Sequence, residues 1–135
     1  MEIKVSTEQG RVPITVMHID GDLDSATFTQ FQKKADELIN NGARYILVDF
    51  AHSPYVSSAG LRAIHQIFKD LNAIHPDAAA LGEEGMKKGI NDGTYKSPYI
   101  KLLNLSEQSK FVFTTSGFNM YIDFFDDMKK AIASF

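Results

Sequence analysis

The chain has 135 residues and a mass of 15.1 kDa, 44% hydrophobic and 23% charged, which is the size of one globular domain around one core. It contains no cysteine, which excludes disulfides, thiolate metal sites and a cysteine nucleophile. Fourteen basic residues against seventeen acidic ones give a net charge of −3, the wrong sign for holding phosphate backbones or anionic lipid. No apolar run approaches the ~18 residues of a membrane span, and the first ten residues lack the basic region and apolar stretch of a signal peptide. The expectation is a soluble cytoplasmic protein with neither nucleic acid nor membrane as a partner.

Residues 2–6 alternate weakly, and Val12 to Ile19 is rich in β-branched residues, so two strands joined near Gly10 are predicted. Pro13 has no N–H to give and belongs at the start of its strand or on an edge. After the polar turn Asp20 to Ser25, Phe28, Phe31, Ala35, Leu38 and Ile39 recur with the spacing of one helix face. Ser25 or Thr27 is the expected cap, Thr27 forming a capping box with Gln30, and Asn41-Gly42 the expected stop. Tyr45 to Phe50 then reads as a strand buried on both faces.

Residues 51–58 form a loop in this reading, followed by a second amphipathic helix on Leu61, Ile64, Ile67, Phe68, Leu71 and Ile74 that ends near Pro76. Residues 77–98 hold Gly82, Gly85, Gly89 and Gly93, a density that predicts a glycine-rich insertion or loop excursion. Tyr99 to Leu103 is a fourth strand, and Ser106 to Gly117 is a short helix with its N-cap at Ser106. Met120 to Asp123 is a short last strand, and Asp126 to Ile132 is a closing helix. The order ββαβαβαβα predicts a single α/β domain spanning 1–135. Its sheet is mixed and mostly parallel, of four to five strands with helices packed on it.

The usual enzyme signatures are absent. There is no Gly-x-Ser-x-Gly and no Gly-x-Gly-x-x-Gly, and Gly82 to Gly89 lacks the Gly-Lys-Ser/Thr ending of a phosphate loop. Asp20, Asp22 and Asp24 alternate like the start of a calcium loop, but Ser25 and Phe31 stand where glycine and glutamate are needed. His18, His52, His65 and His75 show no zinc spacing, so no metal and no cofactor is expected. A serine-dependent site from Ser58, His52 and Asp49 is the one enzymatic constellation left.

Val56-Ser-Ser-Ala-Gly-Leu61 stands where the second amphipathic helix begins. One reading is a helix start, with a serine accepting an N–H bond and Ala59 and Gly60 permitting close packing on the sheet. The other is an accessible serine at the carboxyl end of a parallel strand, where open α/β sheets build ligand and partner sites. Phosphate on Ser58 would there meet free N–H groups and the favourable end of the helix dipole.

Three stretches resemble the STAS domains of bacterial anti-sigma factor antagonists. Gly21-Asp-Leu-Asp-Ser-Ala-Thr27 is similar to the family's Gly-x-Leu-Asp turn. Tyr45 to Phe50 with Val56 to Leu61 is similar to its buried strand and signature loop, and Leu105-Ser-Glu to Ser116-Gly-Phe118 to its third helix. The resemblance covers about residues 1–75 and 98–135. It implies a module without catalysis of its own, in which a cognate anti-sigma factor that is also a serine kinase phosphorylates Ser58. The unmodified form binds that kinase and frees the sigma factor, and the phosphorylated form lets go.

By the same resemblance Asp24 sits near the loop, and Asp24, Ser57, Ser58, Ala59, Gly60 and Arg62 form the partner surface, with Arg62 able to meet the phosphate. Ser57 stands where many members carry Asp, which makes it a second candidate hydroxyl. Some relatives act unmodified, as scaffolds in stress-signalling assemblies or as accessory subunits of transporters, and that alternative stays open on the residues alone.

Overall fold

The computed structural model describes residues 1–93 and 95–135. β1 (Glu2–Gln9) and β2 (Pro13–Asp20) pair antiparallel, with Pro13 opening its strand opposite Gln9. β3 (Ile46–His52), β4 (Ile100–Leu103) and β5 (Phe124–Phe125) continue the sheet in parallel, in the order β1-β2-β3-β4-β5. The helices are α1 (Phe28–Asn40), α2 (Ser58–Ile74), α3 (Pro76–Asn91), α4 (Glu107–Thr115) and α5 (Met128–Ser134).

Strand alternation divides the core between the two faces of the sheet. Met17, Ile19, Val48, Phe50, Ile100 and Leu102 face α1 and α2, whose Phe31, Ile64, Ile67 and Leu71 are buried against them. Ile14, Val16, Leu47 and Leu103 face the other way and are covered by Ala131 and Phe135 at the end of the chain. This double coverage explains the unbroken apolar run of β3. Lys101 is buried in the second layer. Its ammonium donates to the Ser134 carbonyl at 2.9 Å and to Ser134 Oγ at 3.0 Å, and lies 5.1 Å from the Phe135 ring centroid. Burial pushes that amine's pKa down, with Asp123 opposing.

Two expectations are corrected. Residues 77–98 are not simply a loop: α3 occupies Pro76–Asn91, opened by proline at its start and by Asp77 in its first turn. The glycine signal survives as a break, because Gly82 has φ +68° and ψ 178° and bends the helix there. Buried Ala78, with Met86 and Ile90, ties this segment to the main core. The last strand lies at Phe124–Phe125 rather than 120–123. Residues 118–120 form a 3-10 turn, and Phe118, Tyr121 and Ile122 are drawn into the helix-side core before the chain can join the sheet. The rings of Phe113 and Phe118 stand 5.3 Å apart and those of Phe68 and Tyr121 4.8 Å.

Candidate functional site

The chain leaves β3 at its carboxyl end and passes directly beside the turn that follows β2. Leu23 and Val56 form an isolated parallel bridge, in which the Leu23 N–H donates to the Tyr55 carbonyl at 3.0 Å. The Ser57 N–H donates back to the Leu23 carbonyl at 2.9 Å. The structure thus joins the Asp24 turn to the Ser57–Ser58 segment through the backbone. From the other side the Pro54 carbonyl accepts from Ser106 Oγ at 2.7 Å and Ser109 Oγ at 3.1 Å, so the start of α4 buttresses the loop. Ser106 also caps α4 as predicted, accepting from the Ser109 N–H.

Ser58 is the first residue of α2 and is exposed, while Ala59 and Gly60 beneath it are buried. Ser57 occupies the N-cap with extended backbone, yet its side chain makes no cap bond, and its Oγ is buried without a partner among the described residues. The serine cap bond of the helix-start reading is therefore not made at α2. Arg62 is exposed on the same helix and joins none of the ion pairs found among the described residues.

Asp24 is fixed by the turn it builds. Its Oδ1 accepts from the N–H groups of Ala26 at 2.9 Å and Thr27 at 3.2 Å. Of the two expected caps, Thr27 stands at the N-cap of α1, at φ −115° and ψ −15°, but makes no side-chain cap bond: its hydroxyl donates to the Asp22 carbonyl at 2.7 Å. Gln30 reaches to the Met1 carbonyl instead of closing a capping box.

The constellation of Ser58, His52 and Asp49 is not assembled. Asp49 Oδ2 accepts from His18 Nδ1 at 2.8 Å, and its Oδ1 from the Ala51 N–H at 3.0 Å and Asn104 Nδ2 at 3.1 Å. His52 is exposed at the end of β3. Sequence reasoning missed His18 and its second contact, Ser6 Oγ at 2.9 Å from Nε2. Only strand register carries that signal, since β2 sets His18 beside Asp49 and opposite Lys4.

The arrangement offers the solvent-facing Ser58 hydroxyl at a helix start, framed by a carboxylate turn and a buttressed loop. Among the described residues no three His, Asp or Glu side chains gather as metal ligands. Among the described residues no helix is long and apolar enough to cross a membrane.

A sequence model described as the STAS domain matches residues 4–75. The fold is similar to that of a putative anti-sigma factor antagonist from Thermotoga maritima, at TM-score 0.70 and 15% identity over 96% of this chain and 90% of that one. It is similar to an anti-sigma factor antagonist from Mycobacterium paratuberculosis, at TM-score 0.68 and 11% identity over 98% and 93%. It is also similar to the Bacillus cell fate determinant SpoIIAA in its phosphorylated form, at TM-score 0.62 and 20% identity over 97% and 96%. At these identities the likeness is one of fold. No curated protein sequence matches the chain at a significant level.

Proposed function

The chain belongs to the STAS domain family, and on that premise we propose that it is an anti-sigma factor antagonist switched by phosphorylation of Ser58. The unmodified surface around Asp24, Ser57, Ser58 and Arg62 binds an anti-sigma factor that is also the serine kinase, and phosphate on Ser58 releases it. The observation that carries this reading is the exposed Ser58 hydroxyl on the first turn of α2, beside the Asp24 turn. SpoIIAA, whose fold this chain shares, has been described in both unphosphorylated and phosphorylated forms.

The physics of the site supports a switch that leaves the fold intact. A phosphoserine brings about two negative charges, which the amino-terminal end of a helix accommodates through its dipole and free N–H groups. In a closed protein interface the same dianion loses hydration without a prepared partner, a cost of several kcal/mol. Turning a two-state population from nearly full to nearly empty takes about 5.5 kcal/mol, which is the scale that penalty has to reach. Ser57 is the second hydroxyl in reach of a kinase, but its buried oxygen makes it the poorer acceptor.

Calorimetric titration against the cognate anti-sigma factor kinase tests the reading. Wild type and Ser58→Ala bind alike, and Ser58→Asp loses affinity by tenfold or more. Full-strength binding by Ser58→Asp would instead support an unmodified scaffold or transporter-accessory subunit using the same surface.

A further inference from the structure

On the α5 face of the sheet, away from the Ser58 loop, side chains from three adjacent strands form one hydrogen-bonded line. Ser6 Oγ lies 2.9 Å from His18 Nε2, and His18 Nδ1 lies 2.8 Å from Asp49 Oδ2. Register explains the alignment: His18 is opposite Lys4 in β1 and Asp49 in β3, and Ser6 lies two residues beyond Lys4 on the same face. Asp49 is held from behind by the Ala51 N–H and the Asn104 amide.

The direction of each bond follows from the donor inventory. A carboxylate only accepts, so Nδ1 carries a proton, and in the neutral imidazole Nε2 is then the acceptor for the Ser6 hydroxyl. That is the arrangement in which an imidazole draws a proton from an attacking hydroxyl while a carboxylate fixes its tautomer. The His18 side chain is one-third exposed. A groove of about 170 Å³ opens beside it, lined by Glu2, Lys4, His18, Ile19, Asp20 and His52. Lys4, the neighbour of His18 across the β1–β2 pair, lines the same groove, and β1 is an edge strand of the sheet.

We propose that Ser6 is a covalent modification site, acylated by small activated acyl donors with His18 as general base and Asp49 as the positioning residue. Ser6 Oγ attacks the acyl carbon and its proton passes to His18 Nε2. The bond from the acyl carbon to the leaving group then breaks, the leaving group departs with its electron pair, and His18 returns the proton to it. The products are an ester on Ser6 and the free leaving alcohol, with no oxidant, metal or cofactor consumed. This site is independent of Ser58 and of the antagonist reading.

The test uses p-nitrophenyl acetate with the full chain, followed by peptide mapping, and thermal denaturation to show that each variant is folded. One acetyl group on Ser6 is expected in wild type and none in Ser6→Ala. His18→Gln, which keeps a hydrogen-bonding side chain but no base, and Asp49→Asn slow acetylation of Ser6 at least tenfold. Acetyl groups found only on lysines or the terminal amine would overturn the proposal. So would equal acetylation of Ser6 in wild type and folded His18→Gln.

Discussion

Gly60 lies so close to Leu23 that a β-carbon placed on it would stand 2.7 Å from the Leu23 carbonyl oxygen and 2.9 Å from its Cγ. Val56 Cγ1 would be 2.8 Å away. The bare α-carbon at this position is what lets the first turn of α2 dock against the Asp24 turn. Gly60→Ala therefore forces backbone apart at the proposed partner surface, at about 1–3 kcal/mol of overpacking. Chemical denaturation is expected to show that loss, together with weaker binding of the anti-sigma factor although no contacting side chain has been removed.

Ser57 leads to an opposite expectation. An N-cap serine changed to alanine ordinarily costs about 1 kcal/mol, because a helix N–H loses its acceptor. Here the hydroxyl accepts nothing and is buried without a partner. Removing an unsatisfied group relieves a desolvation cost. Ser57→Ala is expected to be neutral or stabilising in thermal denaturation, and a loss near 1 kcal/mol would contradict the geometry.

Asp24 combines a structural role with a charge, and two variants separate them. Asp24→Ala orphans the N–H groups of Ala26 and Thr27, and should cost about 1–2 kcal/mol. Asp24→Asn keeps an acceptor oxygen in place and should fold nearly as stably as wild type. A change in partner affinity in Asp24→Asn then reports the charge alone, read by calorimetry at low and high salt.

Tyr121, like Tyr95, contributes to the loss of stability at alkaline pH. Burial raises its phenol pKa to about 12, above the ordinary 10, and its oxygen meets His65 Nδ1 at 3.1 Å. The folded chain keeps a proton that the unfolded chain gives up above pH 10, so stability falls as pH rises from 10 towards 12. The loss from this group approaches 2–3 kcal/mol, roughly 1.4 per pKa unit. Tyr121→Phe lacks that slope, so its stability relative to wild type should improve over the same range.

Much of this architecture is legible in the amino-acid order, since apolar spacing alone places α1 and α2. Pro13 marks where its strand begins, and Ser106 caps its helix as its position suggests. What is not legible depends on distant packing. Four glycines argue against a helix at 77–98, but Ala78, Met86 and Ile90 bury against the core and hold one, broken only at Gly82. The last strand slips to Phe124 because Phe118 and Tyr121 belong to the helix-side core. At the site, the accessible serine can be picked out locally, whereas its junction with the Asp24 turn is made by backbone bonds between Leu23, Tyr55 and Ser57 that no motif records. The line through Ser6, His18 and Asp49 is a property of register across three strands.

The central claim concerns the Ser58 hydroxyl, and its most direct test is incubation of the full chain with ATP and the cognate anti-sigma factor kinase, followed by peptide mass spectrometry. The account predicts one phosphate, on Ser58, in wild type and none in Ser58→Ala. A wild-type chain that stays unmodified, or that takes its phosphate at a position other than Ser58, would contradict it.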